Sequence, residues 1–316
     1  INEPNEILSG ITTIPVSCYG GSDGSASINP MGGTGAYNVM WFDSTTTSFS
    51  ILDLSIGSYA IVITDDESCT TISSPIIFEI TQADSLTLVA TELNATTCYD
   101  GSDGIASVSV AGGTPNYIYT WLDSLSNPIS SDSSAIGLSE ASYSVIVNDI
   151  NGCADTAQVL ISSPTQLLAN ISTFSASCPG GSDGSATVSP SGGTSPYSYQ
   201  WTGGLSTVDT SGYTSLNAAT TYFLSIVDHN LCPLNIAVNI SEPAPISTSF
   251  SVSDNNGFNV SCYDSSDAII IAHSTGGTSP YEFSKENILY TPDSTFTGLN
   301  SGWFTVFVKD ANGCSS

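Results

Sequence analysis

Positive charge is almost missing from this chain of 316 residues. Lys285 and Lys309 stand alone against 29 Asp and Glu, arginine does not occur, and the net charge is −27. Nucleic-acid binding requires Lys or Arg against phosphate, so that partner class is excluded. Docking on an anionic membrane surface fails for the same reason. Histidine occurs only at 229 and 273. These residues form no nucleophile, base and stabiliser set, so no catalytic residue is assigned and the chain reads as a non-enzyme. Long apolar runs are missing too. The longest, such as Tyr59-Ala-Ile-Val-Ile63, are strand-sized, so neither a membrane span nor a signal peptide is read and no direct membrane insertion is expected. Helical periodicity is absent over any usable length. The acidity favours solubility, repulsion between chains and loose cation binding. It does not imply disorder, because 40% of the residues are hydrophobic.

What is present is a repeat. Cys18-Tyr-Gly-Gly-Ser-Asp-Gly24 returns as Cys98-Tyr-Asp-Gly-Ser-Asp-Gly104, as Cys178-Pro-Gly-Gly-Ser-Asp-Gly184, and in altered form as Cys262-Tyr-Asp-Ser-Ser-Asp-Ala268. The first cysteines are 80, 80 and 84 residues apart. A fixed period dictates architecture before any single residue is interpreted, and here it indicates a row of modules. Junctions recur at Ile80-Thr-Gln-Ala-Asp-Ser-Leu86, Ile161-Ser-Ser-Pro-Thr-Gln-Leu167 and Ile240-Ser-Glu-Pro-Ala-Pro-Ile246. Ile1-Asn-Glu-Pro-Asn-Glu-Ile7 repeats the same junction. The expected division is therefore the end of a preceding module at 1–4, then modules at 5–83, 84–164, 165–243 and 244–316. The fourth stops before its last strand, and the whole is expected to be a window from a longer repetitive protein.

The second module is the most legible. Leu86–Ala90, Ile105–Val110, Tyr117–Trp121, Tyr143–Asp149 and Cys153–Ile161 read as strands. Gly112-Gly-Thr-Pro-Asn116 reads as a turn. The segment between Trp121 and Tyr143 is polar and variable. Short strands with a turn every 8–12 residues predict an immunoglobulin-like sandwich of about seven strands. The fold class is all-β: four tandem immunoglobulin-like β-sandwiches arranged as an elongated rod. The aromatic strand recurs as Tyr37–Trp41 and Tyr197–Trp201, and as Tyr281–Lys285 with lysine in place of tryptophan. Core packing explains it better than a sugar-stacking platform. Tyr59, Tyr143 and Tyr222 hold a tyrosine-corner position, filled by Phe304 in the fourth module.

These motifs together resemble the SprB repeat: Cys-x-Gly-Gly-Ser-Asp-Gly-Ser-Ala, Gly-Gly-Thr-x-Pro-Tyr-x-Tyr-x-Trp, Tyr-x-Val-x-Val-x-Asp-x-Asn-Gly-Cys and Ile-x-x-Pro. That repeat belongs to very large surface proteins of Bacteroidetes, including gliding-motility adhesins. The resemblance spans all four modules, with departures at Ala268 and Lys285 and at the missing Asn-Gly before Cys232. It implies a secreted or surface-tethered, cell-surface chain exported by the type IX system.

Two cysteines per module point to an oxidising setting and disulfides at Cys18, Cys69, Cys98, Cys153, Cys178, Cys232, Cys262 and Cys314. The simplest pairing closes each module: Cys18–Cys69, Cys98–Cys153, Cys178–Cys232 and Cys262–Cys314. Its rival follows from immunoglobulin-like topology, which puts the two cysteines of a module at opposite ends. That arrangement allows Cys18–Cys153, Cys98–Cys232 and Cys178–Cys314 and would lock the rod covalently. Apart from calcium, no cofactor is expected. Calcium has candidate oxygen ligands in Asp23, Asp65, Asp103, Asp149, Asp183, Asp228, Asp267 and Asp310, against the simpler reading that Asp-Gly and Asn-Gly are turn residues. Asn94, Asn170, Asn239 and Asn259 fit the N-linked sequon. In the bacterial group implied by the resemblance, O-glycans attach at Asp-Ser/Thr before a small or apolar residue, which marks Ser44, Ser85, Ser124, Thr156 and Ser294.

The sequence thus predicts a non-enzymatic structural segment of a long extracellular fibre or stalk in a surface adhesin. Its expected partners are neighbouring repeats of the same chain and other copies in a fibre, with a surface or glycan target that the sequence leaves unnamed. Two alternatives stay open: an array of glycan-binding modules, and a filament subunit completed by a strand from another chain.

Overall fold

The computed structural model describes residues 2–42, 45, 47–203 and 209–316. The regular elements among them are strands. They fall into two compact units, Ile1–Ser163 and Pro164–Ser316.

The first unit holds two sandwiches. One is built from β1 (Thr12–Ile14), β2 (Gly24–Ser27), β3 (Asn38–Trp41), β4 (Ser50–Leu54), β5 (Gly57–Thr64) and β6 (Ile76–Ile80). Its sheets run β1-β2-β4 and β3-β5-β6. The other uses β7 (Thr87–Asn94), β8 (Gly104–Ala111), β9 (Ile118–Leu122), β10 (Pro128–Ser130), β11 (Ser134–Leu138), β12 (Ala141–Asn148) and β13 (Ala154–Ile161). Its sheets run β7-β8-β11 and β10-β9-β12-β13.

The second unit repeats the plan. β14 (Leu168–Phe174), β15 (Gly184–Ser191), β16 (Ser198–Thr202), β17 (Gly212–Leu216), β18 (Thr221–Val227) and β19 (Pro233–Asn239) form sheets β14-β15-β17 and β16-β18-β19. β20 (Ser247–Val252), β21 (Ala268–Thr275), β22 (Glu282–Ser284), β23 (Thr295–Leu299) and β24 (Phe307–Lys309) form β20-β21-β23 and β22-β24. The architecture is all-β and immunoglobulin-like, as the strand spacing predicts.

Each core lies between two sheets whose inward residues alternate. In the second sandwich Ala106, Val108, Ala135 and Leu138 from one sheet meet Trp121, Tyr143, Val145, Val147 and Ile161 from the other. Trp41, Trp121 and Trp201 are at most 1% exposed. Their indole N–H groups donate to the carbonyls of Ser48, Asp132 and Thr210 at 2.8, 3.0 and 2.9 Å. These rings fill cores, so they are unavailable as a sugar platform. The tyrosine corner also forms. Tyr59 and Tyr143 donate to the carbonyls of Ser55 and Ser139, while the Tyr222 hydroxyl accepts from the N–H of Asn217. In the fourth sandwich the core is smaller, centred on Ala272, Phe283 and Val308.

The Gly-Gly-Thr turn has a clear steric cause. Gly112 sits at φ +72, and a Cβ there would lie 2.0 Å from the Ser85 carbonyl oxygen. Gly113, at φ +62, would push a Cβ to 3.1 Å from Asp149 Oδ2. Side chains are excluded at both positions for conformational and packing reasons. The tyrosine that follows closes the turn: Tyr37, Tyr117 and Tyr197 donate to the carbonyls of Gly32, Gly112 and Gly192 at 2.6, 2.7 and 2.6 Å.

Candidate functional site

The cysteines lie on two kinds of turn, each fixed by an aspartate. The first follows the opening strand. Asp23, Asp103 and Asp183 each accept both the hydroxyl and the backbone N–H of the residue just before the cysteine: Ser17, Thr97 and Ser177. Asp267 accepts the N–H of Ser261 and the hydroxyl of Ser265. The glycine after this aspartate opens the second strand. A Cβ on Gly104 would lie 2.7 Å from Ile161 Cγ2.

The second turn is the hairpin before the last strand. Asp149, 2% exposed, accepts the N–H groups of Asn151 and Cys153 on Oδ1 and that of Thr114 on Oδ2, all within 2.8–2.9 Å. One carboxylate thus holds the cysteine hairpin to the Gly-Gly-Thr turn. Asp65, Asp228 and Asp310 make the same bonds, to Thr34, Glu67 and Cys69, to Thr194, Asn230 and Cys232, and to Thr278, Asn312 and Cys314. The glycine position of this hairpin has a left-handed backbone: Gly152 at φ 84 and Gly313 at φ 82, but Ser68 at φ 61 and Leu231 at φ 67. A leucine there carries strain of about 1–2 kcal/mol. Leu231→Gly should therefore raise the thermal midpoint of that sandwich by a few degrees. An unchanged or lower midpoint in calorimetry would show that the strain is relieved elsewhere.

In the first unit the two turn types meet. Cys18, on the first sandwich, is bonded to Cys153, on the second, with Cα atoms 5.7 Å apart. Asn151 Nδ2 donates to the Ser17 carbonyl and to Thr114 Oγ1, both at 3.1 Å, so the hairpin also grips the residue next to Cys18. The second unit repeats this. Cys178 is bonded to Cys314 with Cα atoms 5.5 Å apart, and Asn312 Nδ2 donates to the Ser177 carbonyl at 3.1 Å and to Thr278 Oγ1 at 3.2 Å. Neither Cys98 nor Cys232 is a free thiol.

This corrects the simplest pairing. Cys18–Cys69, Cys98–Cys153, Cys178–Cys232 and Cys262–Cys314 do not form, and Cys69 and Cys262 are free and exposed. The reason is distance. Cys18 lies beside the start of β5, and Cys69 lies in the hairpin beyond its end. The eight residues of β5 put them about 26 Å apart at ~3.3 Å per residue. A disulfide closes only when Cα atoms come within about 7 Å. Sequence reasoning did not single out Asn151 and Asn312 as junction residues. Their recurrence two positions after the strand-ending aspartate was the available signal, and Glu67 replaces asparagine in the first module.

The eight aspartates that resemble calcium ligands have another occupation. Asp23, Asp103, Asp183 and Asp267 are exposed turn caps, and Asp65, Asp149, Asp228 and Asp310 are buried hydrogen-bond centres. Among the described residues no group of three or more His, Cys, Asp or Glu converges as a metal site. The glycosylation candidates Ser85, Ser124, Thr156, Asn94, Asn170, Asn239 and Asn259 are exposed and Ser294 is half-buried, whereas Ser44 lies outside the described residues.

Hydrogen bonding lowers the pKa of the turn carboxyls. The hydroxyls of Ser17, Thr97 and Ser177, followed by the N–H groups of the same residues, hold Asp23, Asp103 and Asp183 below the ordinary 3.8. For Asp65 the main cause is the Thr34 N–H; for Asp149 burial opposes the shift but the N–H bonds from Thr114, Cys153 and Asn151 outweigh it. A carboxyl with a depressed folded pKa binds its proton more weakly than in the unfolded chain. Its contribution is complete above the unfolded value and is lost as pH falls through the folded one. Thermal midpoints should therefore be flat from pH 7 to 5 and fall steeply below about pH 4. A midpoint that holds to pH 2.5 would contradict these bonds.

The SprB repeat family matches residues 10–46, 95–126 and 170–206, which cover the first cysteine turn, the second strand and the aromatic strand of the first three modules. No curated protein matches the chain significantly. Among solved structures, a tetra-tandem repeat in the extending region of a large adhesion protein is 11% identical, covering 98% of this chain and 97% of that one at a TM-score of 0.29. The mouse nectin-like molecule 4 ectodomain (Ig1-Ig3) is 10% identical over 75% of this chain and 95% of that one, at 0.30. The eight N-terminal Ig domains of Down Syndrome Cell Adhesion Molecule are 9% identical over 98% and 57%, at 0.23. Three stretches of this chain, residues 10–46, 95–126 and 170–206, are thus similar to the SprB repeat.

Proposed function

We propose that these residues are a non-catalytic structural segment of an extracellular surface adhesin, in which disulfides pass tension from one module to the next. The observation that carries the reading is that Cys18–Cys153 and Cys178–Cys314 each join two different sandwiches. A bond that only stapled a small core would close within one sandwich. A pull entering at the first cysteine turn leaves through the hairpin of the next sandwich and bypasses the strands between. The match to SprB repeats supports the surface-adhesin setting, and gliding attachment and type IX export extend the same reading. Net acidity keeps neighbouring chains apart.

Single-molecule pulling of the full chain tests this. With disulfides intact, the 135-residue separation between Cys18 and Cys153 is shielded from the force. Reduction should release roughly 450 Å more extension from that unit, at about 3.3 Å per residue. Equal extension before and after reduction would rule the reading out.

A further inference from the structure

Asn-Gly occurs three times in the chain, at Asn151-Gly152, Asn256-Gly257 and Asn312-Gly313. The pair is chemically labile, because glycine has no side chain to keep its nitrogen from the neighbouring side-chain amide. Two of the three lie in cysteine hairpins, where the labile amide is itself the contact between sandwiches. Asn151 Nδ2 is held on the Ser17 carbonyl and Thr114 Oγ1, both at 3.1 Å. Asn312 Nδ2 is held on the Ser177 carbonyl at 3.1 Å and on Thr278 Oγ1 at 3.2 Å. The N–H groups of Gly152 and Gly313 donate to the carbonyls of Asp149 and Asp310 at 3.0 Å. Both asparagines are exposed, and a Cβ on Gly152 or Gly313 would meet nothing within 4 Å, so water reaches each pair. Asn256 is exposed too, and Gly257 N–H donates to Asp254 Oδ1 at 2.7 Å, but the Asn256 amide makes no bond among the described residues.

The other two hairpins show what this position tolerates. The third keeps Asn230 but follows it with Leu231, whose side chain hinders ring closure. The first has Glu67, whose N–H still donates to Asp65 Oδ1 at 3.1 Å. A carboxylate here thus leaves the hairpin intact. It cannot replace the amide across the junction, because an ionised carboxylate accepts hydrogen bonds and donates none.

We infer that Asn151 and Asn312 are deamidation sites gated by the junction between sandwiches. The Gly152 nitrogen gives up its proton and bonds to Asn151 Cγ, the Cγ–Nδ2 bond breaks, and ammonia leaves. Water then opens the cyclic imide. Attack at Cγ gives aspartate, and attack at the backbone carbonyl carbon gives isoaspartate, so one water is consumed for each ammonia released. The ring closes only after the amide leaves Ser17 and Thr114 and the Gly152 N–H leaves Asp149. A closed junction therefore protects the site, and an open one exposes it. Afterwards the new carboxylate meets the Ser17 carbonyl, acceptor against acceptor, and the contact does not re-form. Asn312 follows the same course against Ser177. The change records junction opening permanently, whether or not the junction carries tension.

The test incubates the full chain at mildly alkaline pH and follows amide-to-acid conversion at each pair by peptide mass spectrometry. In the folded, disulfide-intact chain Asn256 should convert at least about fivefold faster than Asn151 and Asn312, the factor that one net hydrogen bond is worth. After reduction and unfolding in urea the three rates should converge. Thr114→Val, with unchanged circular dichroism, should speed conversion of Asn151 about fivefold and leave Asn256 and Asn312 as they were, a selectivity that general loosening would not give. Two results would overturn the inference: Asn151 and Asn312 converting as fast as Asn256 in the folded chain, or a Thr114→Val chain that keeps the parent rate at Asn151.

Discussion

Removing the Cys18–Cys153 bond by the paired change Cys18→Ser and Cys153→Ser should lower the stability of the first unit by up to about 5 kcal/mol. The bond spans 135 residues, and cross-linking a loop of that length removes about that much chain entropy from the unfolded state. The Asn151 bond to Ser17 remains but is a single exposed contact, worth about 1 kcal/mol. Urea unfolding followed by circular dichroism should show the midpoint of one transition falling. Cys69→Ser should leave the midpoints unchanged, since Cys69 is free and exposed. The reverse ranking of the two variants would mean that the bond contributes nothing and that Cys69 is the structural cysteine.

Trp121→Ala should cost the second sandwich about 3–5 kcal/mol, the range for deleting a large aromatic from a core. Trp121 is fully buried between the two sheets, and its N–H satisfies the Asp132 carbonyl. The alanine leaves both a cavity and an unpaired acceptor. The fourth sandwich has Lys285, exposed, at the corresponding place, with Phe283 as its buried aromatic. Lys285→Ala should therefore change stability by less than about 0.5 kcal/mol, as surface substitutions do. Denaturation of each variant in the full chain checks both. A Trp121→Ala protein that unfolds like the parent would mean that the indole is not the centre of that core.

The strands with regular alternation were legible. β7, β8, β9, β12 and β13 fall within a few residues of the segments read from sequence, because one buried face imposes period two. The polar stretch between Trp121 and Tyr143 concealed β10 and β11. The cause in β11 is a bulge: its register with β8 shifts between Ile136 and Leu138, where Gly137 has φ 72. The buried residues Ala135 and Leu138 are three apart, which defeats an alternation reading. The same shift, with Asp53, Ser215 or Gly298 at positive φ, recurs in the other three sandwiches. Of the junction, the opposite-end placement of the two cysteines was readable, but the choice of partner was not. Pairing depends on where the end of one sandwich meets the next, and no local pattern encodes that. The aspartates left two readings open in the sequence. A carboxylate in a Gly-rich turn reads the same whether it binds a cation or caps N–H groups, and the positions of Thr114, Asn151 and Cys153 around Asp149 show the capping.

Non-reducing peptide mapping of the full chain tests the central claim, that disulfides tie one sandwich to the next. The predicted result is one cross-linked peptide pair containing Cys18 with Cys153 and another containing Cys178 with Cys314, while Cys69 and Cys262 take up an alkylating reagent without prior reduction. Recovery of Cys18 with Cys69, or of Cys262 with Cys314, would mean that each module closes on itself.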